Sequence, residues 1–423
     1  MIKVGIYIDV RHKNVDCTSI ERGNPGLGGT QYQMLLLAYH LANTYKGKFE
    51  VYLFVDEKVK FANDSITQVQ LPCKNSLREE IKQSGVRVLI VRSELDTLKC
   101  LEKLPIKIIS WSHNFLRCEL ARQIAEQENV EVNVFVGKQQ YDRYIDDDII
   151  KKSTFIFNMV PSAEMLPQRE IKKNVVFIGA LISAKGFHIL ASIWKRILKD
   201  VPDAQLYVLG SAKLYGVSIG KMGRYGVAEK EYEDSFIRYL CDEGGNLLPS
   251  VHFEGIVGGS KVEYFNNAAV GVINPSAKTE TFGLGIVEMN TCGVPIVTAN
   301  KNGFPDVVKN GETGFLCRSK SGLAKKIISL LKDRELNIRF GNNAYFYSKT
   351  FAPEVILPQW ISLINSVCNN RVTINYIRPN RPYIYNLKWL VLIIRFIRYK
   401  MKISCFPSTL RLESIVRRLL RRE

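Results

Sequence analysis

Short apolar runs alternate with helical patterns along most of this chain. The runs "IKVGIYI", "FEVYLFV", "VRVLIV" and "IKIISW" have the length of buried strands, and helical stretches such as "TQYQMLLLAYHLANTY" separate them. Parallel strands need such crossover helices, which cover both faces of the sheet and leave the strands apolar throughout. The pattern therefore predicts an α/β fold with doubly wound parallel sheets.

The length and one break in the pattern predict two domains. A chain of 423 residues exceeds what one hydrophobic core normally serves. The alternation stops in "PSAEMLPQREIKK" and resumes with "NVVFIG", "AQLYVLG", "VHFEG", "VGVINPS" and "VPIVTAN". We predict an N-terminal domain at 1–160, a linker at 161–173, a second domain at 174–350, a helix returning toward the first domain at 351–375 and a tail at 376–423. Doubly wound sheets bind ligands beyond the carboxyl ends of their strands, so two such domains would form a cleft.

Composition favours a cytosolic protein. The nine cysteines form no C-x-x-C pair, which is typical of reduced, mostly buried thiols. The N-terminus "MIKVGIYIDV" has a strand pattern rather than that of a secretory signal, and no run of about 18 apolar residues predicts a membrane-spanning helix. We expect a cytoplasmic protein at the inner face of the cytoplasmic membrane.

The membrane expectation rests on a basic tail. Residues 371–423 hold 13 lysines and arginines and two glutamates, so they carry +11 of the chain's formal charge of +18. In "LKWLVLIIRFIRYKMK" a basic stripe of Lys388, Arg395, Arg398 and Lys402 faces a wide apolar surface, and "STLRLESIVRRLLRR" repeats the pattern. We predict interfacial helices on an anionic bilayer. The alternative is a helix docked on its own protein with exposed arginines; we expect no nucleic acid, because no recognised binding module accompanies the charge.

Three motifs have the residue types of an anion and sugar site. "GNPGLGGTQ" lets the backbone approach a ligand before a helix start. "VVFIGALISAKG" places Lys185 after a strand, where its charge neutralises a phosphate. "AKTETFGLGIVEMNTCGVPIV" puts Glu280 and Glu288 around a helix start whose free amides face a ligand. Phosphate-facing amides between two carboxylates that bind diols suit a nucleotide sugar.

Two further features are weaker. Ser260 and Glu263 have the spacing of a capping box. The acidic run "YIDDDIIKK" invites a metal interpretation through Asp146–Asp148, but such runs are usually solvated, and we predict a solvated surface with no metal.

The third motif resembles the E-x7-E signature of retaining GT-B glycosyltransferases, in particular glycosyltransferase family 4. The resemblance runs through "ETFG", Glu288, "GVPIV", "GFPDVV" and "NGETGFL", and backward through "FIGALISAKG", "QLYVLG" and "VHFEG". It extends more weakly to "GGTQ" and "SWSH" and covers about residues 1–368, which leaves out the tail. It implies two Rossmann-like domains and a metal-independent hexosyl transfer without a cofactor, from a nucleotide-diphosphate sugar to a lipid-linked or saccharide acceptor.

The resemblance also implies residue roles on the donor side. Glu280 would contact donor-sugar hydroxyls, Glu288 would hold the ribose hydroxyls, and Lys185 would neutralise the diphosphate leaving group. The amides near the sugar and diphosphate would be those of Phe282, Gly283 and Leu284.

In the N-terminal domain, His113 would lie near the reacting sugar, and Gly28 and Gly29 would lie near the diphosphate and acceptor. The sequence departs from the family at Ala180, where an arginine is common. Arg224 or Lys221 are candidate substitutes for that cation. A GT-B epimerase or hydrolase of sugar nucleotides, and a non-catalytic membrane-tethered binding module, remain as alternatives.

Overall fold

The computed structural model of the protein describes residues 1–9, 15–73, 76–162, 169–212, 220–375, 377, 388–403 and 405–420. It divides into a first unit of Met1–Glu21, Thr30–Asn158 and Ile356–Glu423, and a second unit of Arg22–Gly29 and Met159–Val355. Parts of three sequence predictions lie outside the described residues: positions 163–168 of the linker, 213–219 of the stretch that carries Lys221 and Arg224, and 376 and 378–387 of the tail, together with the side chain of Lys388.

The first unit is built on one parallel sheet. Its elements are β1 (Ile2–Ile8), α1 (Gly29–Asn43), β2 (Phe49–Val55), β3 (Ile66–Gln70), α2 (Leu77–Ser84), β4 (Val88–Arg92), α3 (Leu95–Leu101), β5 (Lys107–Ser112), α4 (Cys118–Glu126), β6 (Val130–Phe135), α5 (Lys138–Arg143) and β7 (Ser153–Phe155). The strands lie in the order β3-β2-β1-β4-β5-β6-β7, and every pair is parallel. The order reverses between β1 and β4, which makes the sheet doubly wound.

The second unit repeats this architecture. Its elements are β8 (Asn174–Ile178), α6 (Phe187–Asp200), β9 (Gln205–Leu209), α7 (Lys230–Ile237), β10 (Val251–Gly255), α8 (Lys261–Asn266), β11 (Ala268–Val272), α9 (Leu284–Thr291), β12 (Ile296–Ala299), α10 (Phe304–Val307), β13 (Gly314–Cys317), α11 (Lys320–Lys332) and α12 (Arg334–Ser348). The strand order is β10-β9-β8-β11-β12-β13, again parallel, with its switch point between β8 and β11. The predicted α/β fold of two doubly wound, Rossmann-like sheets is confirmed.

The C-terminal elements are α13 (Pro353–Cys368), α14 (Lys388–Arg395), a π-helical turn at Phe396–Lys400 and α15 (Thr409–Leu420). From Ile356 onward they belong to the first unit. The buried ring of Trp360 in α13 lies 4.4 Å from that of Trp111 in β5. Lys107 Nζ donates to the carbonyls of Val367 at 2.6 Å and Cys368 at 3.1 Å, so a cation caps the carbonyl end of α13.

The tail docks on the acidic run of its own unit. Asp146 Oδ2 accepts hydrogen bonds from the backbone N of Thr409 at 2.6 Å and from its hydroxyl at 2.8 Å. Asp147 Oδ2 accepts one from the hydroxyl of Ser408 at 2.5 Å. Arg395 Nε lies 3.8 Å from Asp146 Oδ1, and both side chains are nearly buried, at 11% and 1% exposed.

These contacts correct the prediction of a solvated acidic run. Asp146 and Asp147 are buried because they pair with tail residues more than 200 positions away in the chain. They also correct the basic stripe: the arginines at 395 and 398 face the protein, where Arg398 Nε donates to the carbonyl of Asp146 at 2.6 Å. The docked alternative was wrong in one respect, since these arginines are covered and the apolar side chains are exposed.

Two smaller expectations were also wrong. Four of the nine cysteines are buried, and Cys73 and Cys405 are exposed, so "mostly buried" overstates their burial. Ser260 does not cap α8 with its side chain; its hydroxyl donates to the carbonyl of Val257 at 2.7 Å, which removes the predicted capping box.

Candidate active site

Lys185 and Glu280 form an ion pair at the switch point of the second sheet. Lys185 follows β8 and Glu280 follows β11, the two neighbouring strands between which the strand order reverses. Lys185 Nζ lies 2.9 Å from Glu280 Oε2, and the side chains are 22% and 17% exposed. The sequence predicted both residues separately, and the strand order brings them together.

The loops that carry this pair are held against each other. Gly186 has φ +71°, and a Cβ there would lie 2.7 Å from the backbone N of Ser276, so a side chain would not fit. The hydroxyl of Ser276 donates to the carbonyl of Ala184 at 2.6 Å. Asn274 Nδ2 donates to Glu280 Oε2 at 3.0 Å. The position of Lys185 is therefore fixed by backbone contacts as well as by its ion pair.

The electrostatics of Glu280 keep its carboxyl charged. Burial raises the pKa of Glu280, but the charge of Lys185 and the hydrogen bonds from Asn274 and Lys185 lower it further, so the pKa lies below its usual value. A carboxylate in this state accepts hydrogen bonds from neutral hydroxyls.

Glu288 has a lysine partner that the sequence analysis missed. Lys261, the first residue of α8, places its Nζ 2.8 Å from Glu288 Oε1, with side chains 13% and 14% exposed. Glu288 lies in α9, the helix that begins directly after the Glu280 loop. A lysine that opens a helix after a strand was the available signal, since Lys185 has a similar place behind β8.

The start of α9 is shaped by glycines. Gly283 has φ +102°, a left-handed conformation that side chains rarely adopt. Phe282 is buried, and its ring packs edge-on at 5.5 Å against that of Phe351. A Cβ on Gly303 would lie 2.1 Å from the carbonyl O of Thr281, so the "GFPDVV" loop approaches this turn as closely as backbones allow. The amides of Gly283 and Leu284 thus begin a helix at a fixed place beside Glu280.

Gly28 and Gly29 lie in the loop that groups with the second unit. Asn24 closes this loop, because its Oδ1 accepts from the backbone N of Gly26 at 3.0 Å and of Leu27 at 2.7 Å. A Cβ on Gly29 would lie 2.8 Å from Leu284 Cδ1, so glycine is needed next to the start of α9.

His113 lies in the first unit, one residue beyond β5. Its ring centroid is 4.5 Å from that of Trp111, and the side chain is buried. Burial, with a smaller contribution from the charge of Arg92, lowers the pKa of His113 to about 3, so the imidazole is neutral near pH 7. A neutral imidazole donates and accepts hydrogen bonds without adding charge.

Ala180 is buried, at 1% exposed. Of the two suggested substitutes for the missing arginine, Arg224 places its guanidinium 5.6 Å over the ring of Tyr225. No described contact brings Arg224 or Lys221 to the Lys185–Glu280 pair, so their role stays a prediction.

The described part of the chain holds no group of three or more His, Cys, Asp or Glu side chains placed to bind a metal ion. Within those same residues, no helix combines the length and apolarity needed to cross a membrane.

Comparison with known proteins identifies the family of this site. Residues 162–346 match the family described as "Glycosyl transferases group 1", so this part of the chain is a glycosyltransferase group 1 domain. The fold is GT-B, as the resemblance predicted: HepE of Anabaena, solved in complex with UDP-glucose, superposes with a TM-score of 0.61 at 16% identity, over 86% of this chain and 100% of that chain.

Curated relatives carry glycosyltransferase names. An uncharacterized glycosyltransferase of Haemophilus influenzae is 24% identical over 330 residues, which cover 73% of this chain and 86% of that protein. The capsular polysaccharide biosynthesis glycosyltransferase CapM of Staphylococcus aureus is 26% identical over 193 residues, 45% of each protein. The chain therefore spans less than half of CapM, which limits that comparison to the shared part.

Proposed function

We propose that the protein is a retaining, metal-independent glycosyltransferase that moves a hexose from a nucleotide-diphosphate sugar to a lipid-linked or saccharide acceptor. The observation that carries the proposal is the pairing of both signature glutamates with lysines: Glu280 with Lys185 and Glu288 with Lys261. Each lysine follows the carboxyl end of a strand of the second sheet, where ligands of doubly wound folds bind.

The pairs suit the parts of such a donor. Lys185 supplies a positive charge for the departing diphosphate, and the start of α9 adds backbone amides beside it. Glu280 accepts hydrogen bonds from sugar hydroxyls, and Glu288 from the ribose diol. Catalysis then rests on positioning and on stabilising the leaving group. The complex of HepE with UDP-glucose supports a nucleotide-sugar donor.

We further propose that transfer takes place at the inner face of the cytoplasmic membrane, in the assembly of a surface polysaccharide. The name of CapM supports the polysaccharide assignment. The tail supports the membrane, because Trp389, Ile393 and Phe396 are 79%, 54% and 58% exposed on a helix that is anchored to the first unit through its arginines. Exposed aromatic and aliphatic side chains on one helix face are typical of interfacial helices.

The test is incubation of the full chain with UDP-, GDP- and ADP-sugars, with and without polyprenyl-phosphate-linked acceptor. Nucleoside diphosphate release that depends on acceptor, with unchanged anomeric configuration in the product and no loss in EDTA, is expected. Lys185→Ala should abolish most of this release, whereas Lys325→Ala, an exposed lysine of α11, should not. Release or epimerisation without acceptor would instead indicate a hydrolase or epimerase, and donor binding without turnover a binding module.

A further inference from the structure

A basic cavity lies between α4 and α15 in the first unit. Its volume is about 710 Å³, within the range of ligand pockets. The residues around it come from the start of α4, from α5 and from one face of α15. The donor site proposed above uses none of them.

Arginine dominates the charge of this cavity. The described lining residues include five arginines and two glutamates. The arginines are Arg117, Arg122, Arg143, Arg417 and Arg418. Both glutamates are engaged: Glu413 Oε2 lies 3.0 Å from an Arg143 nitrogen, and Glu119 Oε1 lies 3.3 Å from Lys99 Nζ. The cavity therefore keeps an excess of guanidinium groups, which bind phosphate oxygens in bidentate fashion.

The opposite face of α15 is apolar. Ile415, Val416 and Leu419 are 50%, 51% and 62% exposed. Helical spacing puts them on the side away from Leu410, Ser414 and Arg417, which line the cavity. When such a face lies at the boundary of headgroups and acyl chains, the helix diameter of about 10 Å places the arginines behind it at the level of the lipid phosphates.

We propose that this cavity binds the phosphate of an anionic lipid headgroup while the apolar face of α15 enters the bilayer. The inference deepens the membrane part of the proposed function and rests on it, but it does not depend on glycosyl transfer. It assigns the recognition of lipid to α4 and α15 together, and it gives the buried arginines of α14 a different task, that of holding the tail on the unit.

The test is flotation of the full chain with phosphatidylcholine vesicles that do or do not contain phosphatidylglycerol. Arg117→Gln with Arg122→Gln leaves the tail unchanged and removes two charges from the α4 side of the cavity. At about tenfold or slightly less per basic residue, binding to the phosphatidylglycerol vesicles should fall about thirtyfold. The matched control Arg334→Gln with Arg339→Gln removes the same charge from exposed positions of α12 and should bind like the parent.

A second arm separates a phosphate site from diffuse attraction. Glycerol phosphate should displace the parent from these vesicles more strongly than sodium chloride of equal ionic strength, and this difference should vanish in the Arg117/Arg122 variant. Equal displacement by both salts would overturn the proposal in favour of unspecific charge. Glycerol phosphate binding without recruitment to vesicles would overturn the lipid as its source. Transfer to a soluble acceptor, measured on the same variant, should be unchanged, so a failed donor assignment remains distinguishable from a failed lipid site.

Discussion

Replacing Asp146 should release the tail from the first unit. Its carboxylate is 1% exposed, it accepts two hydrogen bonds from Thr409, and it lies 3.8 Å from Arg395 Nε. In the Asp146→Ala protein, the backbone N–H of Thr409 and the Arg395 guanidinium would stay buried without this acceptor.

The cost follows from these contacts. An orphaned buried donor costs about 1–3 kcal/mol, and breaking a buried ion pair by removing one partner costs about 3–5 kcal/mol. Because the contacts share one carboxylate, we take about 3–5 kcal/mol for the whole. A cost of about 3 kcal/mol corresponds to roughly a hundredfold rise in the open population of the tail.

Asp148→Ala is the matched control in the same run. Asp148 is 36% exposed and lies 3.4 Å from nitrogens of Arg398 and Arg411, so its pairs are partly solvated. Pairs of that kind contribute about 0–1 kcal/mol each. The control should therefore change tail docking much less.

Hydrogen exchange of the amides in residues 409–420 measures the difference. These amides should exchange about a hundredfold faster in Asp146→Ala, while amides of β4 and β5 keep the parental rate. Parental exchange in α15 of that variant would show that the tail is held by other contacts and would refute the reasoning.

Three further predictions concern the candidate active site. Glu288→Gln should weaken nucleoside-diphosphate-sugar binding by about 1.5–3 kcal/mol if the carboxylate bonds the ribose, and calorimetric titration would show it. Glu280→Gln should lower kcat by more than tenfold while nucleoside-diphosphate affinity holds or rises, since Lys185 loses its intramolecular anion; a fall in affinity alone would contradict this. His113, with its native pKa of about 3 and an unfolded value near 6.5, should cost stability as pH falls through that interval, because the unfolded state then binds a proton that the native state refuses. Chemical denaturation at pH 4 to 7 should show a slope of up to about 1.4 kcal/mol per pH unit that His113→Gln lacks.

Most of the sheet architecture was predictable from sequence because buried parallel strands are continuously apolar. β1, β2, β4, β5 and β6 each coincide with such a run. The strands that were missed lack this signal. β3 reads "ITQVQ" with mostly uncovered positions, and β7 is three residues long. Edge strands need less apolar sequence, since one side of the strand has no neighbour in the sheet.

The candidate site was predictable residue by residue, but its pairings were not. Lys185 and Glu280 are 95 positions apart, and their contact depends on β8 and β11 being neighbours. The tail shows the same limit. Its helical period was visible, but which face meets the protein depends on Asp146, about 250 positions earlier. Sequence spacing orders residues on one element and does not show what that element packs against.

The two lysine–glutamate pairs bear on how binding and catalysis divide at this site. Together Lys185, Glu280, Lys261 and Glu288 carry no net charge, so they attract a diphosphate less than two unpaired lysines would. As a sugar departs, negative charge grows on the diphosphate, and Lys185 interacts more strongly with it than with the intact donor. Glu280 holds the lysine in place and limits its attraction for the ground state. Interactions that strengthen only toward the transition state raise kcat, whereas equal binding of both states does not. This is the physical reason to expect that loss of Glu280 leaves or improves nucleotide affinity and still lowers turnover.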